Sequence, residues 1–124
     1  MKSTEGNKLI NQIKKTLHKS GIIKEELITD LQTLRTFAVE ENEPALAKLI
    51  RLIYEHIDQY DTFLISIPED EVLDENGEVL EKDEDDFDSV ESLDYLLSLM
   101  LESENKFNRE EMNEYRDLLK SYEE

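Results

Sequence analysis

Carboxylates are the side chains of this chain most able to do chemistry. Asp and Glu number 32 in 124 residues, against 14 Lys and Arg and two His, for a formal charge of −18. They are densest between Glu69 and Asp94, where fourteen of twenty-six residues are acidic and only Lys82 is basic. Such density invites three kinds of chemistry: binding of a hard cation, general acid–base catalysis, and electrostatic capture of a basic partner.

Cation binding fails on spacing. A di-iron helical bundle needs Glu-x-x-His on facing helices, but Lys15 precedes His18 at that spacing and Ile53 precedes His56. An EF-hand loop needs Asp first, oxygens at the third and fifth places and Gly at the sixth. From Asp74, Asn76 and Glu78 fit but Val79 takes the glycine place. From Asp83, Asp85 fits, and Phe87 and Asp88 then occupy the next two required places. No metal and no cofactor is expected.

Catalysis fares no better. Ser66 lies in Ile-Ser-Ile-Pro, without a Gly-x-Ser-x-Gly elbow or a nearby His. The three glycines are scattered, so there is no phosphate-cradling loop, and with no cysteine there is no thiolate chemistry, disulfide or Cys-ligated zinc. His18 reads as a helix-end residue and His56 as a partly buried neighbour of an apolar stripe. The chain is not expected to be an enzyme.

Electrostatic capture is left. Residues 1–60 hold nine basic and nine acidic side chains and sum to zero, whereas 61–124 hold five and twenty-three and carry the whole −18. That asymmetry disfavours direct contact with nucleic acid or an anionic membrane and favours a protein with a basic surface. The candidate partner-binding residues are Glu69, Asp70, Glu71, Asp74, Glu75, Glu78, Asp83, Glu84, Asp85 and Asp86. The expected function is a protein–protein interaction module or small regulator. The alternative is a nucleic-acid mimic that inhibits a DNA- or RNA-binding protein, which requires ordered acids at phosphate-like spacing. The lysines at 2, 8, 14, 15, 19 and 24 face only Glu5 before residue 25, and they read as a helix surface that partly compensates the acids.

The elements that position these residues follow from periodicity. Leu9, Ile10, Ile13 and Leu17 share a helical face, and Gly21 fits the C′ place, so helix one is expected over about residues 7–19. Ile23, Leu27, Leu31, Leu34 and Ala38 make helix two, about 22–41. Pro44 opens helix three, whose stripe of Leu46, Leu49, Ile50, Ile53, Ile57, Tyr60 and Leu64 is the strongest in the chain. Val90, Leu93, Leu97, Met100 and Leu101 make helix four, about 89–102, with an Asp88/Glu91 capping box. Helix five is expected to start at an Asn108 N-cap, with Phe107 stapled onto Met112, and to bury Met112, Tyr115, Leu119 and Tyr122.

The fold class is therefore all-α, an antiparallel bundle of four to five amphipathic helices with a long acidic connection. Residues 1–124 form a single helical domain, with a three-helix core (1–66), an acidic connector (67–88) and a helical hairpin (89–122). Asn76-Gly77 between Val72-Leu73 and Val79-Leu80 offers a small β-hairpin inside the connector, and a solvated loop is the other reading. Leu52, Tyr54, Leu96 and Leu99 fall off the main stripes and would suit a homodimer. No apolar run approaches the roughly 18 residues that span a bilayer, and the N-terminus has no signal-like apolar stretch, so a soluble cytoplasmic protein is expected.

Overall fold

The computed structural model describes residues 2–65 and 89–123, all of whose regular structure is α-helical. The helices are α1 (Thr4–Ser20), α2 (Lys24–Glu40), α3 (Pro44–Tyr60), α4 (Ser89–Leu101) and α5 (Lys106–Glu123). The acidic connector, with its hairpin alternative and the Asp88 cap, lies outside the described residues.

Local chemistry sets the boundaries. Ser3 caps α1, its hydroxyl accepting from the Gly6 N–H at 3.0 Å, so the helix begins a turn earlier than its apolar stripe. Gly21 ends it with φ +73°, and its N–H donates to the Leu17 carbonyl at 2.9 Å. A Cβ at Gly21 would meet nothing within 4 Å. Gly21→Ala should therefore destabilise through backbone strain alone, by about 1 kcal/mol, read as a lower urea midpoint at unchanged m-value. Asp61 takes the left-handed conformation at the end of α3 (φ 62°), which turns the chain before Leu64. Phe63 and Ile65, rather than Leu64, enter the core.

Four seams are antiparallel. Lys2 at the start of α1 donates its backbone N–H to Glu41 beyond the end of α2 (2.7 Å). Lys24 at the start of α2 reaches Asp61 (2.6 Å) and Asp58 (3.8 Å) at the end of α3. Lys14 and His18 of α1 meet Ser98 (2.6 Å) and Asp94 (3.1 Å) of α4. Ser92 and Tyr95 of α4 meet Tyr115 and Glu111 of α5.

The fifth seam runs the other way. Leu46 and Leu49 near the start of α3 lie with Met112 of α5, and His56 and Tyr60 near its end lie with Tyr122. The helices close a ring in the order α1–α2–α3–α5–α4. A ring with an odd number of members cannot alternate throughout, so one parallel pair is unavoidable, and it is α3 with α5.

One apolar cluster draws on all five helices, with Ile10, Leu31, Ile50, Ile53, Leu97 and Leu119 fully inaccessible. Leu52, Leu96 and Leu99 are 4%, 0% and 5% exposed, and Tyr54 and Tyr95 pack partly against the cluster. These residues are therefore core, not a free dimer surface. Each helix touches two neighbours, so its buried face is wider than a single stripe.

Two further corrections concern α5. Asn105, not Asn108, is its cap, accepting from the N–H groups of Phe107 (2.9 Å) and Asn108 (3.3 Å). Asn108 instead turns its amide back to the Glu102 carbonyl at 3.1 Å, closing the end of α4. Phe107 is 73% exposed and staples nothing, and Tyr122 is 43% exposed. Among the described residues no helix is long and apolar enough to cross a membrane.

Candidate functional site

All ten acidic residues selected from sequence, Glu69 to Asp86, lie outside the described residues. What the fold does position is the place where that segment leaves and returns. His56 is fully buried on α3, and its Nε2 accepts from the Leu64 N–H at 3.1 Å. On α4, Ser92 donates its hydroxyl to the Ile65 carbonyl at 2.6 Å, and Thr62 Oγ1 lies 3.5 Å from Ser89 Oγ. Residues 62–65 are thus held between α3 and α4 immediately before the segment, and its far end enters α4 beside them.

The His56 ring sits in an aromatic cluster, with centroids 4.8 Å from Tyr60, 5.2 Å from Tyr122 and 5.7 Å from Phe63. Burial lowers its pKa. Because Nε2 accepts, the neutral ring is assigned its proton on Nδ1, which has no hydrogen-bond partner among the described residues. Tyr115, also fully buried, approaches Ser92 through its hydroxyl (3.2 Å to Oγ), and burial raises its pKa. The hydrogen bond to Glu111 pushes Tyr95 up to about 12. These shifts belong to packing contacts that join α3, α4 and α5.

Some acids of α4, α5 and the turn between them have partners in the bundle, and others are exposed. Asp94 pairs with His18, Glu104 with Lys2 (3.5 Å), and Glu111 accepts from Tyr95. Glu102, Glu110, Glu114 and Asp117 are exposed. Of the lysines at 2, 8, 14, 15, 19 and 24, Lys2 pairs with Glu104 of the α4–α5 turn and Lys24 with Asp58 and Asp61, while the acidic connector they were expected to offset lies outside the described residues.

The parallel α3–α5 seam has the opposite character. A cleft of about 370 Å³ opens at its N-terminal end, lined by Glu43, Pro44, Ala45, Leu46 and Leu49 on one side and by Ser103, Arg109, Met112 and Arg116 on the other. Further along, Lys48 lies beside Lys120, Arg116 and Arg51, whose positive charges lower its pKa, Lys120 most of all. Arg35 faces Lys48 and Arg51 across the neighbouring groove. Sequence reasoning missed this cluster because its members are far apart in the chain and come together only through the parallel packing.

Among the described residues no three His, Cys, Asp or Glu side chains converge as metal ligands would. No protein-family model, curated protein or solved structure matches the chain. The class the structure defines is a five-helix ring bundle with one parallel seam.

Proposed function

We propose that this protein is a non-enzymatic interaction module or small regulator, acting in the cytoplasm, that binds a protein partner with a basic surface. The observation that carries this reading is the segregation of charge: residues 61–124 hold the entire −18 while 1–60 are balanced. A surplus of one sign on one part of a chain raises the association rate with an oppositely charged partner and makes that association salt-dependent. The packed bundle supplies the platform, and the residues between Glu69 and Asp86, together with the exposed acids of α4 and α5, supply the charge.

The test compares the full-length chain with a full-length variant in which the ten candidate acids become Asn or Gln. Wild type should retain a basic protein from its native host at low salt and release it at high salt, and the neutralised variant should retain little at either. Recovery only of partners that resist high salt and ignore the substitutions would overturn the reading.

A further inference from the structure

We propose that the cleft between the N-terminal ends of α3 and α5 is an anion site that takes the phosphate group of a small ligand, with Arg109 and Arg116 as its principal contacts. This site is opposite in sign to the acidic surface proposed above and independent of it.

Three observations converge on the cleft. The parallel packing of α3 and α5 brings two helix N-termini to one end of the molecule, where their partial positive charges add. The α3 terminus is not capped by any side chain and has no acid in its first turn, whereas the first amides of α5 are already taken by Asn105. So α3 offers backbone N–H groups at Ala45 and Leu46, and α5 offers side chains.

The second observation is Ser103. It lines the cleft, is only 2% exposed, and its hydroxyl has no hydrogen-bond partner among the described residues. A buried hydroxyl without a partner is uncommon and calls for one.

The third is charge that runs against the rest of the chain. Arg35, Lys48, Arg109, Arg116 and Lys120 make no ion pair among the described residues, in a molecule with a formal charge of −18. Like charges held together without counter-charges are a disfavoured arrangement that a bound anion relieves. Two carboxylates oppose them: Glu43, which lines the cleft, and Glu55, 3.8 Å from Arg51. Arg109 is fixed by its Nε donating to the Ser103 carbonyl at 2.9 Å, which leaves the remaining guanidinium N–H groups to a ligand. Guanidinium forks match phosphate oxygens, and the two that line this cleft, Arg109 and Arg116, suit a phosphate better than a single carboxylate. At physiological salt, charges farther than about 8 Å from the cleft are largely screened. A volume of about 370 Å³ is that of a small-molecule site, and Leu46, Leu49 and Met112 give it an apolar wall.

The experiment is calorimetric titration of the full chain with inorganic phosphate and, separately, with adenosine monophosphate, while the amide resonances of Ala45 and Leu46 are followed by NMR. Saturable binding with shifts at those amides is expected. Tighter binding of the nucleotide would identify the natural source as a phosphorylated small molecule using the apolar wall, and equal binding would identify free phosphate. Arg116→Gln and the exposed Arg109→Gln should each weaken binding about tenfold. Ser103→Ala should weaken it several-fold without lowering thermal stability, and Lys15→Gln, on the basic face of α1, should change it by less than about twofold. No saturable binding of either probe below about 10 mM would overturn the proposal. So would equal weakening by Lys15→Gln and Arg116→Gln, since diffuse attraction to any cation would then explain it.

Discussion

Tyr115→Ala should cost about 3–5 kcal/mol, a large part of the roughly 5–15 kcal/mol that holds a domain of this kind together. Tyr115 is the largest fully buried side chain among the described residues, and it packs where α4, α5 and residues 62–65 meet. Its ring lies 6.4 Å from that of Phe63. Truncation leaves a void between packed elements that can collapse only in part. Tyr115→Phe isolates the hydroxyl. Ser92 keeps its 2.6 Å bond to the Ile65 carbonyl in that variant, so the loss should be only about 1 kcal/mol. Urea unfolding followed by circular dichroism separates the two contributions. A Phe variant as unstable as the Ala variant would show that the hydroxyl network, not the ring, holds this junction.

The second large effect is at His56. His56→Ala removes the acceptor of the partly buried Leu64 N–H and a fully buried ring that contacts Tyr60, Phe63 and Tyr122, for a loss of about 3 kcal/mol or more. The same residue gives stability a pH dependence. Burial holds its folded pKa below the ordinary 6.5. Between those two values the unfolded chain binds a proton that the folded chain refuses, so stability is complete above about 6.5 and declines as pH falls toward the folded pKa. Protonation also converts Nε2 from acceptor to donor and breaks its bond to Leu64. Carboxylate repulsion changes with pH in the opposite sense, so the comparison must be made between proteins. The urea midpoint of wild type should fall more between pH 7.5 and 5.5 than that of His56→Phe, which cannot titrate. Parallel profiles would mean that His56 protonates as easily folded as unfolded.

The contrast between these core residues and the cleft shows what the sequence could reveal. Ile10, Ile13 and Leu17, Leu27 through Ala38, and Leu46 through Ile57 lie on stripes, and a stripe is a local pattern. All five helices were legible for that reason. Leu52, Leu96 and Leu99 were misread as spare because a stripe describes one seam, whereas in a closed ring every helix has two. Asn108 was misread because Asn105 offers an equally good cap three residues earlier, and only the α4 carbonyls decide between them. The α3–α5 cleft was not legible at all. Its Arg109, Arg116, Ser103 and Leu46 have no common spacing, and they meet because the fifth seam is parallel. A polar partner for His56 could have been suspected from its place on an apolar helix, but the Leu64 N–H lies eight residues on, beyond any helical period.

The contacts of Thr62 with Ser89 and of Ile65 with Ser92 bear on how this chain can vary. They bring residues 62–65, the last described before residue 66, beside the first turn of α4, so side chains of the bundle itself hold these two ends together. Variation at Thr62, Ser89 and Ser92 is thus constrained by the bundle itself, on grounds separate from the acidity of the residues between its two ends.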